Sequence, residues 1–316
     1  MTRKQAHHDG SHSHVASQHR DTPAAAPLVV KIGGAALDDP SQTPWLWEAL
    51  CELHHGRAGG IVLVHGGAKA IDRKLKRLGF TTERREGLRL TPPEQIDEIV
   101  AVLAGSVNKA LVGWVQRFGV PAVGLCLGDG LSIRTAKTTR FDFDPGRVGE
   151  VTGGHPRLIA TLLGAGFMPV LCSIGLDEHG SPLNVNADEA AAGVASVIDA
   201  AEMIFLTDVP GVLNAQGGVY EDLDAAQIEA SIASGEIHGG MIPKVRGALQ
   251  AANEAGVPAT IASWNGPGDL LKLARGERAG TRIWPADRGA AEFSFPQPQV
   301  TPAARLRPAA AVSASA

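Results

Sequence analysis

No apolar run in this sequence is expected to reach the ~20 residues that span a bilayer, and residues 1–27 lack the apolar centre of a signal peptide. Both absences predict a soluble, cytoplasmic protein. Cysteine is scarce. Cys51, Cys126 and Cys172 are far apart, odd in number and form no CxxC pair, which argues against a disulfide scaffold and suits a reducing compartment. Each is expected to be a small, buried apolar side chain. A basic excess is also missing: the formal net charge is −4, which argues against a general nucleic-acid binder. Neither GxxxxGK[ST] nor GxGxxG occurs, so the chain has no P-loop and no Rossmann dinucleotide fingerprint. GxSxG, HExxH and Cys/His metal spacings are absent too, and no metal site is expected.

What is present is enough apolar residue, 44% of 316, for a substantial core. Residues 1–27 carry His7, His8, His12, His14 and His19 among Ser, Gly and Asp, with almost nothing to bury. They are expected to be a disordered extension, as are the Ala-, Pro-, Gln- and Ser-rich residues 286–316. Clustered imidazoles can bind zinc or nickel, but no cysteine or carboxylate cluster completes a site here. Between the tails, β-branched runs predict strands at 28–32, 61–64, 122–127, 168–172, 202–207 and 259–262. Helical patterns fall at 68–78, 94–118, 157–165, 188–198, 225–233 and 244–255. This alternation predicts an α/β protein whose mainly parallel sheet is covered on both faces.

In such sheets ligands bind beyond the carboxyl ends of the strands. Two strands finish there in glycine pairs, Gly33-Gly34 and Gly66-Gly67, whose bare backbone can close on an anion. Lys31 lies inside the first strand, where a cation is costly to bury without an anionic partner. Lys244 stands near a helix start, where it opposes the macrodipole at a cost of ~0.3–1 kcal/mol, so a role with phosphate explains it better than local stability does. Asp188 opens a helix behind the polar run Asn184-Val185-Asn186-Ala187, with Asn186 as the cap. Arg89 either pairs with Glu86 or offers its planar fork to a substrate carboxylate. His65 is read as packing or hydrogen bonding under its glycine loop, with a general base as the alternative.

Together Lys31-Ile32-Gly33-Gly34, Val64-His65-Gly66-Gly67, Gly87-Leu88-Arg89-Leu90-Thr91, Asn184-Val185-Asn186-Ala187-Asp188, Thr207-Asp208-Val209-Pro210-Gly211-Val212-Leu213 and Gly240-Met241-Ile242-Pro243-Lys244 resemble the amino-acid kinase family, its acetylglutamate kinases in particular. The resemblance implies a three-layer α/β/α sandwich over residues 28–285. It also implies an acid-binding lobe at about 28–175 and a nucleotide-binding lobe at about 176–285. The implied activity is ATP- and Mg²⁺-dependent phosphorylation of the γ-carboxylate of N-acetyl-L-glutamate, with Mg²⁺ held mainly by the ATP phosphates. By motif match, Lys31 and Lys244 would stabilise the transferring phosphoryl group and Asp188 would orient both lysines. Gly66, Gly67, Arg89 and Asn184 would bind the acid. The nucleotide set would be Gly33, Gly34, Asp208, Val209, Pro210, Gly211, Val212 and Leu213, with Glu236, Ile237 and His238 added by position. Ala68 replaces the family's usual third glycine, which a negative φ accommodates. A homodimer insensitive to arginine is expected, because residues 11–27 lack the apolar stripe of the helix that interlaces arginine-inhibited members. The alternatives are a sibling kinase, above all one for acetylaminoadipate, and a non-catalytic nucleotide-binding protein of the same fold.

Overall fold

Strand and helix alternate along the chain as the apolar periodicity requires. The computed structural model describes residues 26–286, except Glu86, Pro267 and the side chain of Ala35. The expectations for residues 1–27 and 286–316 fall outside the described residues, apart from the inner ends of those segments. There the Pro27 carbonyl accepts from Ala201 N–H and Ala286 N–H donates to Asn253 Oδ1, both at 2.8 Å.

The strands are β1 (Leu28–Ile32), β2 (Ile61–His65), β3 (Arg84–Arg85), β4 (Leu88–Arg89), β5 (Ala122–Cys126), β6 (Ile133–Lys137) and β7 (Val148–Gly154). After them come β8 (Met168–Cys172), β9 (Ile174–Leu176), β10 (Pro182–Val185), β11 (Glu202–Thr207), β12 (Asp222–Leu223), β13 (Ala259–Ser263) and β14 (Thr281–Ile283). The first helices are α1 (Pro44–Gly56), α2 (Ala68–Arg77), α3 (Ile96–Val100), α4 (Asn108–Arg117) and α5 (Arg157–Gly164). The last are α6 (Ala187–Val197), α7 (Ala225–Ala233), α8 (Met241–Ala255) and α9 (Gly268–Ala274).

The main sheet has eight strands in the order β12-β14-β13-β11-β1-β2-β8-β5. Every neighbouring pair is parallel except β13–β14. Alternation along β1 sorts its side chains between two layers. Val29 joins a cluster with the alanines of α6 and the apolar face of α8, while Leu28, Val30 and Ile32 join Trp47, Leu50 and Leu111 of α1 and α4. The sheet is thus sandwiched between helices, the expected three-layer α/β/α architecture. A second sheet, β6-β7-β10-β9, and the β3–β4 hairpin sit beside it.

Two features depart from the sequence reading. The helical run Pro93–Arg117 is long and apolar enough to cross a membrane by composition, although none was expected to be. In the fold Ile96, Ile99, Leu103, Leu111 and Val115 from this run are buried in the protein. A π-helical stretch, Ala101–Val107, also joins α3 to α4, where one plain helix was anticipated.

Candidate active site

From β1 the chain steps to β2 on one side, whereas from β11 it steps to β13 on the other. The connections therefore diverge between β1 and β11, and a crevice opens beyond the carboxyl ends of those strands. A cavity of about 230 Å³ lies there, lined by Lys31, both glycine pairs, Arg89, Ser173, Asn184 and Asp188 among others. Five elements, β1, β2, β4, β10 and α6, thus bring eight of the expected residues to one place: Lys31, Gly33, Gly34, Gly66, Gly67, Arg89, Asn184 and Asp188.

Lys31 owes its direction to strand alternation. It leaves β1 on the same face as Val29, toward the first turn of α6. Asn186 caps that helix, accepting from Asp188 N–H at 2.8 Å and Glu189 N–H at 3.4 Å. The cap holds the Asp188 carboxylate where Lys31 Nζ meets its Oδ1 at 2.8 Å. That oxygen is buried and, beyond the ion contact, has no directed hydrogen bond among the described residues. Lys31 Nζ also overhangs the glycine turn, since a Cβ on Gly33 would stand 3.2 Å from it. At Gly67 a Cβ would meet the Leu103 side chain at 2.7 Å, so any larger residue there would force Leu103 to shift. Ala68 begins α2, and its φ is not positive, so its methyl group is accommodated.

Arg89 is buried and held by Asp72 of α2, while its other expected partner, Glu86, lies outside the described residues. Its Nη1 donates to Asp72 Oδ1 at 2.6 Å and its Nη2 to the Ala68 carbonyl at 3.1 Å. Arg84 donates to the other Asp72 oxygen at 2.8 Å. Burial raises the Asp72 pKa, but the hydrogen bonds from Arg89 and Arg84 outweigh it and hold the carboxyl below its usual range. Asn184 Nδ2 donates to Thr91 Oγ1 at 3.0 Å, and Thr91 Oγ1 donates to the Arg89 carbonyl at 3.2 Å. These bonds tie β10 to β4.

His65 lies fully buried beneath its glycine pair. Nδ1 faces the Gly66 carbonyl at 2.8 Å and Nε2 faces Asn108 Nδ2 at 3.0 Å. It is not part of the wall of the 230 Å³ cavity, and its contacts match hydrogen bonding under the loop.

Lys244 lies elsewhere. Its Nζ contacts Asp208 Oδ1 at 2.5 Å, not Asp188, so the two lysines rest on different carboxylates and the expected shared partner is not seen. Neither Lys244 nor the 208–213 turn lines the 230 Å³ cavity. Within that turn Gly211 is irreplaceable, because at φ 150° a Cβ would meet Val219 at 2.6 Å and Thr281 at 2.7 Å. Val212 and Ile237 are buried, and Leu213 is exposed. Val209 is packed against the α6–α8 core cluster, and Pro210 faces a second cavity of about 270 Å³. Glu236 Oε1 accepts from Ala215 N–H at 2.5 Å and the Glu236 carbonyl contacts His238 Nδ1 at 3.1 Å. The 236–238 segment thus lies against the loop that follows Leu213.

The model of the amino acid kinase family matches residues 26–263. This chain belongs to that family. Among its relatives, an acetylglutamate kinase from Proteus mirabilis (strain HI4320) is 41% identical over 257 residues, covering 81% of this chain and 98% of the relative. One from Actinobacillus succinogenes is 43% identical over 259 residues, covering 82% and 99%. A solved protein from Streptococcus mutans UA159 superposes with a TM-score of 0.64 at 27% identity, covering 82% of this chain and 98% of its own.

Family motifs did not point to Asp72, Ser173 or Asn108, and Thr91 lay inside a motif without being given a role. Asp72 had one visible signal: it is the only acid in the basic helix AKAIDRKLKR, with Arg84, Arg85 and Arg89 close behind. No group of three or more His, Cys, Asp or Glu that could hold a metal ion occurs among the described residues.

Proposed function

We propose that this chain transfers the γ-phosphoryl group of ATP to the side-chain carboxylate of N-acetyl-L-glutamate, giving an acyl phosphate, as a step of arginine biosynthesis. The observation that carries the reading is one cavity in which Lys31, two glycine turns, Arg89 and Asn184 converge, in a chain more than 40% identical to acetylglutamate kinases over nearly their whole length.

The acid's carboxylate, with a reference pKa near ~4.3, is ionised at neutral pH and needs no general base. Transfer then rests on positioning and on charge stabilisation of an in-line transition state. Arg89 uses two of its five N–H donors on Asp72 and Ala68, which leaves a fork for a carboxylate. Asn184, fixed by Thr91, stands on the same wall with Gly66 and Gly67. Lys31, oriented by Asp188, keeps two ammonium hydrogens for the phosphoryl oxygens. Lys244 would join it after leaving Asp208, and the open acceptor on Asp188 Oδ1 suits an incoming cation. Gly33 and Gly34 would approach the phosphates, and the 208–213 and 236–238 segments would hold the nucleoside.

One carboxylate is not a cage, so Mg²⁺ would be held mainly by ATP and would neutralise charge on its phosphates. We assign the acid to the half near residues 28–175 and the nucleotide to the half near 176–285. A cytoplasmic homodimer completes the proposal, and the apolar run Pro93–Arg117, part of which is left uncovered within one chain, offers a face for the second copy. Incubation with ATP, Mg²⁺ and acetylglutamate in hydroxylamine should yield a hydroxamate and equimolar ADP. ADP release without hydroxamate would overturn the acyl phosphate.

A further inference from the structure

The chain's three cysteines are all free, and two of them face each other. Cys126 ends β5 and Cys172 ends β8, and the parallel register sets them directly opposite. Opposed residues leave a sheet on the same face, and here both sulfurs join the cluster of α2 and α3 side chains. The Cys172 thiol donates to the Cys126 sulfur at 3.6 Å. Neighbouring strands lie about 4.8 Å apart, within the ~4.4–6.8 Å Cα separation that a disulfide bridges. Closing the sulfurs to a bond of ~2.05 Å therefore takes about 1.5 Å of movement, shared between side-chain rotation and the strand ends that carry Cys126 and Cys172.

The two thiols are not equivalent. Contrary to the expectation that every cysteine is buried, Cys126 is only partly covered, on the last strand of its sheet, while Cys172 is fully buried. Contact with Cys126 and burial both push the Cys172 thiol up, whereas the same contact pushes the Cys126 thiol down against burial. The shared proton therefore stays on Cys172, and the more accessible sulfur is the more readily ionised. Attacking and resolving thiols differ in this way.

We propose that Cys126 and Cys172 are a redox-active dithiol that hydrogen peroxide converts into an intramolecular disulfide. The Cys126 thiolate attacks one peroxide oxygen and releases hydroxide, becoming a sulfenic acid. The Cys172 sulfur then attacks the sulfenic sulfur and water leaves. In sum, two thiols and one peroxide give one disulfide and two waters. The bond bears on the cavity through the next residue. Ser173 lines the cavity, and its carbonyl accepts from Val185 N–H at 3.0 Å, beside Asn184. Turning Cys172 toward Cys126 displaces that wall. This second half of the proposal rests on the acid-binding reading, whereas bond formation does not.

The test treats the full-length protein with hydrogen peroxide and counts thiols after denaturation. The count should fall from three to one, with a mass two hydrogens lower and a monomer-sized band without reductant. Dithiothreitol should restore all of it. Cys126→Ser should lose neither remaining thiol at the same peroxide dose and keep full activity. Cys172→Ser should instead let dimedone trap a sulfenic acid at Cys126. Three surviving thiols, an oxygenated mass or a disulfide-linked dimer would overturn the dithiol. In the oxidised protein kcat/KM for the acid should fall by about tenfold or more, since ~1 Å misplacement of a positioning group costs up to ~10²-fold. A disulfide that leaves kcat/KM unchanged would overturn the link to the cavity.

Discussion

Replacing His65 by Gln should remove a pH dependence of stability that the fold builds beneath its glycine loop. The Gly66 carbonyl can only accept, so His65 Nδ1 carries the ring proton and donates at 2.8 Å. Nε2 is then the acceptor for Asn108 Nδ2 at 3.0 Å. The Asn108 amide cannot reverse: it also donates to the Val170 carbonyl at 2.9 Å, and its oxygen takes Lys109 Nζ at 3.1 Å. A protonated ring would set donor against donor. Burial accordingly pushes the His65 pKa from 6.5 down to about 4, against the favourable Gly66 bond and with help from the nearby Lys109 charge. The unfolded chain binds this proton below ~6.5 and the folded chain only near 4, so stability rises with pH across that window. The contribution is complete above ~6.5 and lost as pH falls toward 4. At ~1.4 kcal/mol per pH unit the full window is worth about 3 kcal/mol, and the fall from pH 7 to 5 about 2 kcal/mol. Urea unfolding of wild type and His65→Gln at pH 7, 6 and 5 measures it. Differencing the two proteins cancels His54, whose pKa burial also lowers. Parallel stability–pH curves would refute the buried neutral imidazole.

Substitutions around the cavity should separate binding from catalysis. Arg89→Ala should raise KM for the acid ~10–100-fold with kcat nearly kept, because a carboxylate contact worth ~1.5–3 kcal/mol is made equally in ground and transition states. Asp72→Asn should give a smaller rise of the same kind, and steady-state kinetics read both. Lys31→Ala and Lys244→Ala should instead lower kcat ~10²–10³-fold in the same assay, and near-normal kcat in both would remove their assigned roles. Light scattering with and without arginine should show a dimer in each case, with initial rates unchanged, and a hexamer whose half-saturation rises with arginine would overturn that reading.

Local pattern carried far in this chain. Leu28–Ile32, Met168–Cys172 and Glu202–Thr207 fall where periodicity puts them, because each buries a continuous apolar set. β6 and β7 were not legible: their sequences IRTAK and VGEVTGG lack a β-branched run, and they are held by pairing with each other and with β10. α1 was missed although Leu46, Trp47, Leu50 and Leu53 form a regular stripe after a proline start. At the site, the convergence of Lys31, the glycine pairs, Arg89, Asn184 and Asp188 could be anticipated from strand ends and motifs. The partners could not. Asp72 reaches Arg89 across 17 residues, Asn108 reaches His65 across 43 and Lys244 reaches Asp208 across 36, and tertiary packing alone decides those pairs.

Side-by-side ADP-release kinetics decide which acid the cavity takes. With ATP and Mg²⁺ saturating, kcat/KM for N-acetyl-L-glutamate should exceed that for N-acetyl-L-aminoadipate by at least the ~10-fold that one methylene is worth in a fitted pocket. Free glutamate, which lacks the acetyl group, should be poorer still. A higher kcat/KM for acetylaminoadipate or for free glutamate would show that the cavity is built for a different acid.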